Sequence, residues 1–132
     1  MKTVLMIKPD VVERDEYPEI ISLLLRNRFS ILRMLKFTFS RELAERFYAV
    51  HSDKPFFRPL VEYITSGPVV ALELEGDTII EDIRTFIGPT DPSTAAPGTV
   101  RYMYGTNIQR NAVHASDSPE AAKKEIAIIF GD

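Results

Sequence analysis

Several kinds of chemistry are excluded by what this chain lacks. None of its 132 residues is a cysteine, which excludes disulfides, thiolate metal sites and cysteine nucleophiles and fits a reducing compartment. The sequence also has neither the glycine-lysine loop that cradles phosphates in many nucleotide-binding folds nor a glycine-rich kinase signature. Only two histidines are present. Covalent catalysis therefore has few side chains on which it can occur.

Long hydrophobic runs and an excess of positive charge are missing too. No apolar stretch approaches the length of a membrane span, and the run in Met1–Lys8 is too short for a signal peptide. The formal net charge of -3 argues against a dedicated nucleic-acid binder, which relies on a basic surface. We expect a protein without membrane association that is located in the cytoplasm.

The composition is that of an ordinary folded protein. Hydrophobic residues make up 45% of the chain and charged residues 27%, which is typical of globular domains. The length is sufficient for one hydrophobic core but not for two. We therefore expect residues 1–132 to form a single domain.

Apolar runs rich in β-forming residues predict the strands. These runs are Thr3–Ile7, Phe29–Phe39, Pro68–Leu74 and a short extended piece, Asn111–His114. The candidate core residues of the second run are Ile31, Met34, Phe37 and Phe39.

Helical spacing of apolar residues and capping residues predict the helices. They are Glu19–Arg28, a helix from the cap Ser40 through Val50, a helix opened by Pro55 and ended by Ser66-Gly67-Pro68, Thr78–Ile87, and a helix capped by Ser118 with Pro119 in its first position. In the helix opened by Pro55, the shared apolar face is formed by Phe56, Leu60, Val61 and Ile64. The last apolar run, Ile126–Phe130, fits either a helix end or a strand.

The segment Gly88–Asn107 is rich in proline and glycine and is too long for a passive connection. Long ordered loops in compact domains are usually functional. The order of elements is then β-α-β-α-α-β-α-loop-β-α, which favours an α/β sandwich with helices covering a sheet. Periodicity alone leaves open whether the sheet is parallel or antiparallel.

His114 is the best candidate for a nucleophile. A neutral imidazole can take up a phosphoryl group and release it again. The residues that follow His114 are small, so a substrate can reach the ring. His51 has no comparable setting, and we expect it to lie on the surface or at a helix end.

Three cationic side chains lie at the predicted ends of elements: Lys8, Arg84 and Arg101. Each is able to hold phosphate oxygens, arginine through its planar fork and lysine as a point charge. Taken singly, each is more typical of a solvated surface charge, and their order along the chain does not show that they converge.

Six segments, taken together, resemble the nucleoside diphosphate kinases. They are Ile7-Lys-Pro-Asp10, Phe47-Tyr48, Pro55-Phe-Phe57, Ser66-Gly-Pro-Val-Val-Ala71, Pro97-Gly-Thr-Val-Arg101 and Arg110-Asn-Ala-Val-His-Ala-Ser-Asp-Ser118. The resemblance extends from about Thr3 to Phe130, in the order and spacing of that family. It implies a ferredoxin-like α/β sandwich with an antiparallel four-stranded sheet covered by helices.

The resemblance also implies a function. Such an enzyme moves the γ-phosphoryl group of a nucleoside triphosphate to a nucleoside diphosphate by a ping-pong reaction, through a phosphohistidine on His114. The residues expected at the nucleotide are Lys8, Tyr48, Phe56, Arg84, Thr90, Arg101 and Asn111, of which Lys8 and Tyr48 also act in catalysis. Ser116 and Glu125 match residues that support the histidine. Stacking on Phe56 without reading the base edge would accept any base.

On pattern alone, several of these residues have simpler interpretations. Phe56 is typical of a core, Thr90 and Asn111 are typical of turns, and Glu125 is typical of a solvated helix face. Only their joint match to the family favours a site.

The same resemblance implies Mg²⁺, held mainly by the nucleotide phosphates, with Asp117 as a possible outer-shell partner and no protein metal site. It further implies a homo-oligomer, a dimer-based tetramer or hexamer. The sequence departs from the usual family pattern at Val11, at Asp15-Glu-Tyr-Pro18, at Tyr102-Met103-Tyr104 and at Ala115. These departures affect substrate affinity and subunit contacts but remove no proposed catalytic group. The alternative is a non-catalytic, nucleotide-sensing or partner-binding module.

Overall fold

A four-stranded antiparallel sheet forms the centre of the structure, a computed structural model that describes residues 1–131. The strands are β1 (Lys2–Ile7), β2 (Ser30–Phe37), β3 (Val69–Glu75) and β4 (Val113–Ala115). Their order across the sheet is β2-β3-β1-β4, and all three pairings are antiparallel. The predicted antiparallel four-stranded sheet is confirmed.

Helices connect and cover the strands. They are α1 (Pro9–Glu13), α2 (Tyr17–Arg26), α3 (Arg41–Phe47), α4 (Phe57–Ile64), α5 (Ile79–Ile87), α6 (Val100–Tyr104) and α7 (Pro119–Phe130). The succession β1-α2-β2-β3-α5-β4 is the ferredoxin-like arrangement. Helices α3 and α4 are inserted between β2 and β3, and α7 follows β4. Within residues 1–131, no helix has the length and hydrophobicity needed to cross a lipid bilayer.

The two faces of the sheet carry separate hydrophobic clusters. The central strand β1 contributes to both, because successive side chains of a strand point to opposite faces. Leu5 and Ile7 pack under α2 and α5, whereas Val4 and Met6 pack under α3, α4 and α7. Both faces of β1 and β3 are therefore buried, and these strands form a rigid platform for β4 at the sheet edge.

The capping residues act as their types predict. The side chains of Ser40 and Ser118 accept hydrogen bonds from backbone N–H groups in the first turns of α3 and α7, both at 3.1 Å. Such caps satisfy donors that have no partner inside the helix. The run Ile126–Phe130 is helical, so it completes α7.

Some predictions of detail are wrong. Met34 is 58% exposed and is not a core residue, because β2 is an edge strand that has a neighbouring strand on only one side. Phe56 does not share the buried face of α4. It precedes the helix and is 49% exposed, since the chain between Ser52 and Phe56 forms turns instead of a helix opened by Pro55.

The segment Gly88–Asn107 is ordered, as expected, but it also contains regular structure. It includes a 3-10 turn at Pro92–Thr94 and the helix α6. The Thr99 side chain caps α6 by accepting from the Tyr102 N–H at 3.3 Å. The five-residue helix α1 was not predicted either, because an element this short shows no clear helical period.

Candidate active site

β4 carries His114 to one end of the sheet. This strand pairs with β1 so that His114 lies opposite Met6, and its side chain is 22% exposed. The His114 ring lines a cleft of about 820 Å³. The predicted accessibility of His114 is therefore seen in the structure.

A short chain of hydrogen bonds holds the His114 ring. Its Nε2 atom lies 2.9 Å from Oε1 of Glu125, and the Ser116 hydroxyl donates to the same oxygen at 2.7 Å. Ser116 and Glu125 are buried. An imidazole whose Nε2–H donates to a carboxylate keeps its lone pair on Nδ1. Within residues 1–131, the structure shows no hydrogen-bond partner for this Nδ1 atom.

Two aromatic rings pack against the imidazole. Phe47 and Tyr48 contact it edge-on, with ring centroids 5.0 Å and 6.0 Å away. The Tyr48 hydroxyl is buried, and no partner for it occurs in the described part of the chain. Burial, and then the charge of Glu125, raise the pKa of Tyr48 above its usual value. Tyr48 therefore stays a neutral hydroxyl that is able to donate a hydrogen bond into the cleft.

Lys8 directly follows β1, and its side chain lines the same cleft. Its Nζ donates to Oδ1 of Asn111 at 2.8 Å, and Nδ2 of Asn111 donates to the Thr90 carbonyl at 2.9 Å. Lys8 is 6% exposed. Burial, and then the nearby charge of Arg101, lower the pKa of Lys8 to about 8, although Asp10 opposes the shift. A buried ammonium group facing a cleft has a strong attraction for an anion.

Arg101 and Arg84 add two further positive charges. Arg101 is anchored by donating from Nη1 to the Gly88 carbonyl at 3.0 Å and from Nη2 to the Val113 carbonyl at 2.9 Å. Burial, and then the neighbouring Arg84, lower the pKa of Arg101 to about 10, so it remains a cation at neutral pH. Arg84 lies at the end of α5 and is exposed.

The mouth of the cleft is apolar. Phe56 is half-exposed there, and Ile108, which also lines the cleft, is 61% exposed. The ring of His51 lies against Phe56, with centroids 5.3 Å apart. An exposed aromatic ring offers a surface on which a flat ring can stack.

Every site residue predicted from the sequence, except Ser116, lines this one cleft. Ser116 lies behind it, bonded to Glu125. The cleft wall also contains residues that sequence reasoning did not select: Phe47, Val50, His51, Leu60, Ile108 and Gln109. His51 lies at the end of the 3-10 turn Ala49–His51, as expected, and its ring contacts Phe56.

Anions suit this cleft better than a bare metal ion does. The cleft is lined by four cationic side chains, Lys8, Arg84, Arg101 and Lys124, and by three carboxylates, Asp117, Glu120 and Glu125. Within residues 1–131, no group of three or more histidine, cysteine or acidic side chains is arranged to hold a metal ion. A ligand that is both anionic and aromatic fits the combination of cations and stacking surface.

Comparison with known sequences gives the family. The sequence matches the nucleoside diphosphate kinase family over residues 1–132. It is 49% identical over 131 residues to the nucleoside diphosphate kinase of Archaeoglobus fulgidus, an alignment covering 99% of this chain and 87% of the relative. The corresponding protein of Staphylothermus marinus is 51% identical over 133 residues, with 99% and 93% covered.

Solved structures agree with the sequence comparison. The nucleoside diphosphate kinase of Aquifex aeolicus superposes with a TM-score of 0.95 at 43% identity, covering 98% of this chain and 94% of that one. The enzyme of Halobacterium salinarum, solved in complex with CDP, gives a TM-score of 0.95 at 40% identity, with 100% and 88% covered. This chain therefore belongs to the nucleoside diphosphate kinase family and is a phosphotransferase that acts on nucleotides.

Proposed function

We propose that His114 carries the phosphoryl group between donor and acceptor nucleotides, on its Nδ1 atom. The observation that supports this most directly is the bond between Nε2 and Glu125 at 2.9 Å, which leaves Nδ1 on the cleft side. Nδ1 attacks the γ-phosphorus of a nucleoside triphosphate, the bond to the bridging oxygen breaks, and the diphosphate leaves. A second diphosphate then attacks the same phosphorus, and the N–P bond breaks.

The charges of the site suit this reaction. Phosphoryl transfer depends mainly on positioning and on stabilising the charge of the equatorial oxygens. We assign this role to Lys8, Arg84 and Arg101, with the Thr90 hydroxyl as a further donor. Glu125 keeps the Nε2 proton in place and stabilises the positive charge that develops on the ring, while Ser116 holds the Glu125 carboxylate.

Tyr48 and Asn111 have more specific tasks in this proposal. The unpaired Tyr48 hydroxyl, already buried, donates to the phosphoryl group during transfer. Asn111 binds Lys8 and the Thr90 carbonyl, yet its amide keeps one N–H and one lone pair for a sugar hydroxyl. Both residues are thus oriented before a nucleotide arrives.

Mg²⁺ is proposed to enter with the nucleotide, coordinated by its phosphates. The cleft fits this, because the Asp117 carboxylate on its wall can accept a hydrogen bond from a water bound to the ion. Direct coordination by protein side chains is not required. Bound Mg²⁺ would neutralise phosphate charge. A non-catalytic module is not favoured, since the cleft keeps His114, Lys8, Arg101 and Glu125 together.

Broad base specificity follows from stacking on Phe56. Phe56→Ala is expected to weaken the binding of GDP and CDP by a similar amount, roughly 1–3 kcal/mol each, because stacking does not read the base edge. Calorimetric titration of the two nucleotides measures this. Tyr102→Ala, which removes an equally exposed ring outside the cleft, serves as the matched control. If Phe56→Ala weakened the binding of only one of the two nucleotides, the edge of that base would have to be recognised.

A homo-oligomer built on dimers is supported by the β2 edge. Four apolar side chains of α2 and β2 are exposed there: Leu25, Leu32, Met34 and Leu35. Exposed apolar side chains along an unpaired strand edge are typical of an association surface, and two copies joined edge to edge across a two-fold axis would cover part of them.

Met34→Asp is expected to dissociate the oligomer, because the interface would bury an uncompensated charge. Sedimentation velocity compares its mass with that of the wild type. Thr85→Asp, which adds the same charge on the exposed side of α5, should retain the wild-type mass. A Met34→Asp protein of unchanged mass would exclude the β2 edge as the interface.

Two general features are also proposed. Residues 1–132 form one domain, supported by the family match across this range and by the shared sheet. The enzyme acts in the cytoplasm, as the cysteine-free composition suggests.

A further inference from the structure

The backbone at Ala112 is strained. Its φ angle is +77°, and the N–H of Val113 donates to the carbonyl of Asn111 at 3.0 Å. These features define a γ-turn with Ala112 at its centre. Such turns are rare, and a side chain at positive φ is costly. The turn lies between two proposed functional residues, Asn111 and His114, so its geometry fixes how far apart they are.

Both polar backbone atoms of Ala112 are held by one segment. Its N–H donates to Oδ2 of Asp10 at 3.1 Å, and its carbonyl accepts from the N–H of Lys8 at 2.9 Å. Asp10 and Ala112 are buried. Asp10 is itself fixed, because its N–H donates to the Tyr63 hydroxyl at 2.9 Å. Strained backbone persists only where its surroundings impose it, and here the Lys8–Asp10 segment does so.

We infer that Asp10 is a positioning residue whose carboxylate holds the strained Ala112 turn and thereby sets Asn111 and His114 in their working positions. This inference rests on the proposed phosphoryl-carrier role of His114. Without the acceptor on Asp10, the Ala112 N–H would be buried and unpaired, which is costly. The turn would relax toward negative φ, and that change would rotate Asn111 away from Lys8 and displace the start of β4.

The test combines Asp10→Ala with Ala112→Gly. Asp10→Ala removes the acceptor and is expected to slow phosphoenzyme formation by about 10–100-fold at saturating ATP, as misplacement of a reacting group does. Ala112→Gly alone should stay within about threefold of wild type, since glycine takes up positive φ without steric cost. The double variant should be faster than Asp10→Ala, because the turn no longer needs to be imposed.

Rapid quenching with γ-labelled ATP measures the rate of phosphoenzyme formation in a single turnover, and thermal unfolding checks the fold. Asp10→Asn, which keeps an acceptor oxygen, should be faster than Asp10→Ala. If Asp10→Ala does not fold, the Asp10→Ala/Ala112→Gly double variant is compared with Ala112→Gly. The double variant should form the phosphoenzyme at no less than roughly a tenth of the Ala112→Gly rate.

Two results would overturn the inference: an Asp10→Ala enzyme that is phosphorylated as fast as wild type, or a double variant with none of the lost rate restored. If Asp10→Ala does not fold, a double variant that forms the phosphoenzyme at less than about a tenth of the Ala112→Gly rate would also overturn the inference. Failure of the underlying function is recognised separately. In that case the wild-type protein itself would acquire no label on His114, whatever the behaviour of the Asp10 variants.

Discussion

Replacement of His114 by alanine is expected to abolish phosphoenzyme formation and to lower kcat by on the order of 10⁴-fold or more. Alanine provides no atom that can form a bond to phosphorus, so a ping-pong reaction loses its intermediate. The wild-type protein, incubated with γ-labelled ATP and Mg²⁺, should acquire an acid-labile, base-stable label that GDP or CDP removes. The variant should acquire none, while its thermal unfolding stays close to that of wild type.

The chain offers a matched control, because it contains only two histidines. His51 lies at the mouth of the same cleft, against Phe56, so His51→Ala removes an imidazole from the site without removing the proposed carrier. This variant should still be labelled, and the label should still pass to GDP. A His114→Ala protein that is labelled or transfers phosphate at the wild-type rate would contradict the assignment.

Lys8→Met is expected to lower the rate of phosphoryl transfer by about 10²–10³-fold, the loss typical when one preorganised charge is removed from a transition state. Methionine keeps much of the length and the apolar stem of lysine, so the effect reports the charge. The rate of phosphohistidine formation at saturating ATP measures it. Lys123→Met, an exposed lysine on α7 outside this cleft, is the control and should react at the wild-type rate.

The charge of Lys8 also predicts a pH dependence. Because burial lowers its pKa to about 8, the free enzyme loses this cation as the pH rises through that value. The kcat/KM of the wild type should therefore fall above about pH 8. This alkaline decrease in the pH profile should be absent in Lys8→Met. Bound phosphates favour the ammonium form, so the decrease for kcat should lie at higher pH. Identical profiles for the two proteins would contradict the proposed role.

The same shift has a consequence for stability, with the opposite sign. The pKa of Lys8 is lower in the folded protein than its ordinary value of 10.5, so between about pH 8 and 10.5 the unfolded chain binds more protons. Stability from this group therefore rises with pH in that window. Below it, the buried cation costs stability, as is common where a site is built for a reaction.

Much of the fold could be predicted from local patterns. The apolar run Thr3–Ile7 was predicted nearly to its observed ends, and so was the start of the helix after Ser118, because burial and capping leave their marks on adjacent residues. The end of that helix was left open, because Ile126–Phe130 fits a strand as well. The antiparallel pairing was different. It is a property of distant segments, such as Leu5 opposite Ala115, and periodicity contains no information on it. Resemblance to a family supplied the prediction that the structure confirms.

The candidate site shows the same division. His114 could be selected from residue type and small neighbours alone. The convergence of Lys8, Arg84 and Arg101 could not, because it depends on how the end of β1, the last turn of α5 and the start of α6 meet around one cleft. The position of Ile108 in the cleft wall was missed since this residue has no local signature. The Ala112 turn was missed because alanine gives no signal of positive φ, and its cause lies 102 residues away, in Asp10.

The central claim is that one ring nitrogen of His114 carries the phosphoryl group. Correlation of phosphorus and nitrogen resonances in the phosphoenzyme, prepared with isotope-labelled histidine and assigned with the His51→Ala variant, tests this most directly. We expect a single phosphorus coupled to Nδ1 of His114, with Nε2 still protonated and facing Glu125. Phosphorus bonded to Nε2, to His51 or to the Ser116 oxygen would contradict the account.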